Sequence, residues 1–209
     1  MEARDTPYRK QAHRLRWAVA AVAIVALAGG ITAALLGGGS APMGAPRRIS
    51  YSLADLRLRF AALSHQGTNQ CGLSFSTVRT LQGGSRLQGS CCSPMDFEHY
   101  VSQVRGLRRY AGVPEIPSDP YDIPVSLAKR LLGFDRSISF TPVLRREYLA
   151  TVKLSREHGP CCCHCWRWTM FKGQAKFLLT TAHFSPREVA GVWNLEDGCG
   201  GPAESNSSS

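Results

Sequence analysis

The chain has 209 residues, with 25 Lys and Arg against 15 Asp and Glu, and a formal charge of +10. Positions 1–48 hold seven of the basic and two of the acidic residues, so the remainder carries only +5, too mild and scattered for a nucleic-acid partner. No glycine-rich phosphate loop, H-E-x-x-H, G-x-S-x-G or C-x-x-C-H occurs, so no catalytic residue is assigned and an enzyme is not the favoured reading.

In chain order, residues 1–16 form a short tip bearing Arg4, Arg9, Lys10, Arg14 and Arg16. Residues 17–36, Trp17 to Leu36, then run for 20 positions without a charge. At about 1.5 Å per residue such a helix spans roughly 30 Å, the thickness of a bilayer core. The next basic residues are Arg47 and Arg48, beyond a Gly/Ser/Pro/Ala linker over 37–48. The asymmetry predicts a single-pass cell-membrane protein with its N-terminus cytoplasmic and its main domain extracytoplasmic. Ala26-Leu27-Ala28 resembles a signal-peptidase site, but the apolar run continues past it, which favours an uncleaved anchor. No cysteine precedes Cys71 to carry a lipid.

Residues 49–201 are expected to form a small, cysteine-rich, mainly α domain, and residues 202–209 a disordered polar tail. Ser52 with Asp55 resembles a capping box, followed by Leu53, Leu56, Phe60 and Leu63 at helical spacing to about Gly67. Ser93-Pro94 predicts a second helix start, with Phe97, Val101, Val104 and Leu107 as its apolar stripe. Val113 to Pro124 contains four prolines and reads as an irregular connector, followed by a short helix from Val125 to Leu132 that Gly133 stops. Thr141-Pro142 opens a helix running toward Gly159-Pro160, Trp166 to about Thr181 is another, and Ser185-Pro186 with Glu188 opens the last. No strand ladder is expected.

The eight cysteines fall between these helices: Cys71, the pair Cys91 and Cys92, the run Cys161, Cys162, Cys163, His164 and Cys165, and Cys199 in a Gly-flanked turn. Three chemistries compete for them. Disulfides would staple an exported domain, although adjacent cysteines point apart and pair awkwardly. Thiol–disulfide exchange by Cys162 and Cys165 would use a C-x-x-C pair at a helix start, but no βαβ scaffold surrounds it. A soft metal, Cu(I) or Zn(II), makes neighbouring thiolates compatible, with Cys91, Cys92, Cys161, Cys162, Cys163, His164, Cys165 and Cys199 as candidate ligands. In an extended strand Cys161, Cys163 and Cys165 would sit about 7 Å apart in succession, too far for one ion, so a shared site requires a tightly wound loop. Met95 and His65, His99, His158 and His183 are expected to be ordinary core or surface residues.

The segment Pro160-Cys161-Cys162-Cys163-His164-Cys165 resembles the PCYCGC motif of a group of exported bacterial proteins, with Cys162 in place of the tyrosine and His164 in place of the glycine. The resemblance spans about 25 residues, including a preceding amphipathic helix with Tyr148, and it implies an extracytoplasmic setting without implying an activity. The reading favoured is a membrane-anchored protein that holds or passes on a soft metal, with no nucleic-acid partner and the protein partner unknown. A disulfide-stapled surface domain and a thiol oxidoreductase are the alternatives.

Overall fold

The computed structural model describes residues 51–202, all within the unit that begins at Ile49. The tip, the apolar segment at Trp17–Leu36, the linker and the tail from residue 203 lie outside the described residues. Among the described residues, no helix is long and apolar enough to cross a membrane.

Seven α-helices and one two-stranded sheet make up the domain, which is mainly helical. They are α1 (Leu53–Ser64), α2 (Phe75–Thr80), α3 (Phe97–Leu107), α4 (Val125–Ser137), α5 (Pro142–Leu154), α6 (Trp166–Thr180) and α7 (Pro186–Glu196). Ser52 and Ser185 form complete capping boxes with Asp55 and Glu188, and Thr141 caps α5 ahead of Pro142. Each such cap is worth about 1 kcal/mol, because it satisfies N–H groups that a helix start leaves unpaired.

Four expectations change. Helix α3 starts at Phe97 with Asp96 as its cap, because Ser93 and Pro94 are engaged elsewhere: Ser93 N donates to Cys199 O and Gly201 N to Pro94 O. Helix α4 continues through Gly133 to Ser137, since packing against α6 outweighs the helix penalty of a glycine. The short helix α2, capped by Ser74, was not anticipated. Finally, β1 (Arg86–Gln88) pairs antiparallel with β2 (Asp122–Pro124), whose residues end the proline-rich connector. Pro124 sits at the end of a two-stranded edge, where its missing N–H costs nothing.

The main core gathers Trp166, Met170, Phe171, Leu178, Leu131, Ile123, Val192 and Trp193, and a second cluster packs Leu56, Leu63, Tyr100, Val104 and Tyr121. Burying each large apolar side chain contributes about 1.5–3 kcal/mol. The tightest helix pair is α4 with α6, where a Cβ on Gly173 would lie 2.0 Å from Leu131 O. With α6 pressed on α4 at this point, its first turn and the cysteine loop before it are held over the segments that carry the other thiols.

Candidate metal centre

Four chain segments converge on one place, each fastened by backbone hydrogen bonds. The loop carrying Cys71 is fixed by Thr68 N and Asn69 N, which donate to Gln88 O, and by the Trp166 indole, whose Nε1 donates to Gln70 O at 2.9 Å. Cys91 N donates to Gly198 O at 2.9 Å, so the Cys91–Met95 stretch and the Gly198–Gly201 stretch run alongside each other. Gly200 has φ +82°, and a Cβ there would meet Ser93 O at 2.1 Å; glycine is what lets Cys199 sit against Cys91. In the Cys161–Cys165 loop, Cys165 N donates to Cys163 O at 2.9 Å and the Cys161 thiol to the same oxygen at 3.2 Å. This γ-turn is the tight winding that three sulfurs on one side demand.

All eight cysteines are free thiols, and their sulfurs form one connected set. Cys71 lies 3.0 Å from Cys163 and 3.4 Å from Cys92. Cys91 is 3.5 Å from Cys92 and 3.7 Å from Cys199, while Cys162 is 3.1 Å from Cys199 and 4.0 Å from Cys92. Three groups, Cys71/Cys92/Cys163, Cys91/Cys92/Cys199 and Cys161/Cys163/Cys165, have sulfurs all within 4.8 Å of one another. Two thiolates on one ion with metal–sulfur bonds of about 2.3 Å lie about 3.8–4.0 Å apart, whereas a disulfide joins sulfurs at about 2.05 Å. Each group is therefore close enough to hold a metal ion.

The electrostatics point the same way. Cys165, the N-cap residue of α6, has its thiol lowered to about 5, first by its contact with the Cys161 sulfur and then by N–H groups of Arg167 and Trp168 at the helix start. Cys199 is also lowered, by its contacts with the sulfurs of Cys161 and Cys91. Cys91 and Cys161 move the other way, raised chiefly by those same contacts, and burial raises Cys71, Cys162 and, to about 12, Cys163. Within the cluster, Cys165 and Cys199 are thus the sulfurs that part with a proton most readily.

Beneath the sulfurs lies Arg167, wholly buried. Its guanidinium donates to Asn69 Oδ1 at 2.7 Å, Glu196 O at 3.2 Å and Pro120 O at 3.5 Å, and its charge interacts with Cys91, Cys161 and Cys199. It forms no ion pair with a carboxylate among the described residues. The nearby carboxyls are poor counter-ions, since burial pushes Glu196 well above its ordinary range and Asp197 up to about 7. A buried guanidinium needs a counter-charge, and its charge meets the sulfurs of Cys91, Cys161 and Cys199 ahead of the Asp197 carboxyl.

Glu196 also sets a pH dependence. A carboxyl whose folded pKa is raised binds its proton more tightly when folded, so stability is greatest below the unfolded value near 4.5 and declines as pH rises above it. Glu196→Gln keeps an acceptor for Gln174 Nε2, which now donates to Glu196 Oε1 at 2.7 Å, and removes the titration. The variant is expected to show a flatter stability profile between pH 5 and pH 8 in urea unfolding, with its gain over the parent largest at the alkaline end.

Of the candidate ligands, the seven cysteines come together and His164 stands apart: its ring stacks on Trp168 with centroids 3.8 Å apart. Cys71 joins them, although it lies 20 positions before Cys91 and was not among the residues chosen from sequence. Arg167 is the other unforeseen member, and its signal was helical periodicity: Arg167, Met170, Phe171, Gln174 and Leu178 share one buried face. Beside the cluster opens a cavity of about 530 Å³ whose lining includes Cys92, Cys162, Cys199, His99, Arg156 and Asn194. His99 is buried there, with Nδ1 3.0 Å from Gly201 O and no hydrogen-bond partner at Nε2. No protein-family model matches the chain, and no curated protein or solved structure matches it either.

Proposed function

We propose that this is a membrane-anchored, extracytoplasmic protein that holds a soft metal, Cu(I) or Zn(II), on its clustered cysteines and hands it on. The observation that carries the reading is the pairing of a connected set of eight thiols at single-ion spacing with a buried arginine that forms no ion pair with a carboxylate among the described residues. Disulfides are neutral and would leave that cation chiefly the Asp197 carboxyl; metal-bound thiolates keep their negative charge beside it. The single-pass anchor rests on Trp17–Leu36 and on the basic residues before it.

The full chain, purified in detergent under anaerobic conditions with alkylation at lysis, tests the proposal. Bound copper or zinc, with the cysteines reduced, is the expected result. Four disulfides and no metal would replace it with a stapled surface domain. A membrane-impermeant thiol reagent added to intact cells should reach the metal-stripped protein; labelling only after lysis would overturn the extracytoplasmic placement.

Cys162 is suited to the hand-over. It is exposed, lines the cavity and touches Cys199 and Cys92 from outside the three sulfur groups. Cys162→Ser is expected to leave the amount of bound metal unchanged and to slow its transfer to a competing thiol chelator about tenfold, the lower end of what outer-sphere changes cost. Stopped-flow transfer kinetics provide the measurement.

A further inference from the structure

We infer that the cysteines build a single polynuclear cluster holding three thiophilic ions, with Cys92 and Cys163 as bridging thiolates. The inference rests on the metal-holding role proposed above and adds its stoichiometry and connectivity.

The three sulfur groups are not independent. Cys92 belongs to both Cys71/Cys92/Cys163 and Cys91/Cys92/Cys199, and Cys163 belongs to both Cys71/Cys92/Cys163 and Cys161/Cys163/Cys165. Three separate three-thiolate sites would require nine cysteines, and seven are present in these groups. Sharing resolves the shortfall, because a thiolate sulfur has lone pairs enough to bind two ions. The central group supplies both shared residues, so Cys71 is the one ligand that belongs to it alone.

The alternatives fit less well. A single ion takes about four sulfurs at most and would leave the others crowded and unmatched. An iron–sulfur cluster interposes irons and sulfides between its cysteinyl sulfurs and so spreads them farther than the 3.0–4.0 Å contacts here. Three donors per group suit Cu(I); Zn(II) would draw a fourth donor to each ion. Arg167, buried against Cys91, Cys161 and Cys199, offsets part of the negative charge that a cluster with more thiolates than ions accumulates.

The connectivity makes a numerical test possible on the full-length protein, loaded anaerobically with Cu(I) or, separately, Zn(II), and weighed intact by native mass spectrometry. The unaltered chain should hold three ions with at least one of these metals. Cys92→Ser and Cys163→Ser each break two of the three groups and should retain one ion, a threefold fall, whereas Cys71→Ser and Cys165→Ser each break one group and should retain two. X-ray absorption of the unaltered protein should show metal–metal scattering, a readout that survives even where a variant fails to fold. One ion per chain, an identical one-ion loss in every variant, or an absence of metal–metal scattering overturns the bridged cluster and leaves a metal-holding protein standing. Failure to retain either metal removes both readings.

Discussion

Replacing Arg167 with methionine is expected to lower the unfolding free energy by about 3–5 kcal/mol, the range for removing one member of a buried charged set. The methionine fills much of the same space, so the loss measures charge and hydrogen bonding more than volume. Asn69 Oδ1 and the carbonyls of Glu196 and Pro120 would lose their donor, and Cys91, Cys161 and Cys199 would lose their buried cation. Metal affinity should fall with stability. Arg167→Lys restores the charge but not the planar fork, and should recover metal binding more fully than it recovers stability. Urea unfolding with and without metal, together with chelator competition, separates the two effects. Wild-type stability in Arg167→Met would show that the cluster needs no counter-charge.

The second large effect is predicted at Gly173. Alanine there would place its Cβ 2.0 Å from Leu131 O and 2.7 Å from Asp135 N, both backbone atoms that cannot rotate away. Helices α4 and α6 would have to separate, at a cost of about 1–3 kcal/mol or more. The shift would also displace the first turn of α6, and with it Cys165 and Arg167, so the metal content should fall as well. Gly133 is the matched control on the facing helix: nothing lies within 4 Å of its would-be Cβ. Gly133→Ala should stabilise by about 0.5–1 kcal/mol through helix propensity alone. Thermal unfolding of both variants decides; equal responses would mean that the close helix contact carries no weight.

Which parts were legible in the sequence follows from how local their causes are. The helices at Leu53, Pro142 and Pro186 announce themselves because their caps use residues within three positions, and these hydrogen bonds form whatever the rest of the chain does. Ser93-Pro94 carries the same signal and starts no helix, because its backbone is taken by a partner more than a hundred residues later in the chain, Cys199. Sheet pairing of Arg86–Gln88 with Asp122–Pro124 is likewise non-local, and three-residue strands leave too little alternation to detect.

The site divides along the same line. Adjacency alone placed Cys161, Cys162, Cys163 and Cys165 together, and it also drew in His164, whose stacking on Trp168 no spacing rule anticipates. Cys71 was missed because its approach depends on the Trp166 indole meeting Gln70 O, a contact 96 positions apart in the chain. That Cys91 and Cys92 would face the later run was expected on the chemistry of thiols, not on pattern.

The seam between residues 91–95 and 198–201 also ties the sulfurs to backbone closure. Cys199 stands 108 residues after Cys91, yet it completes the sulfur group that contains Cys91 and Cys92. A chain in which the 198–201 stretch has come away from the 91–95 stretch loses both that sulfur and the bonds that fasten it, Cys91 N to Gly198 O and Gly201 N to Pro94 O. The sulfur group is thereby a product of long-range closure, and opening of this one backbone seam separates its members.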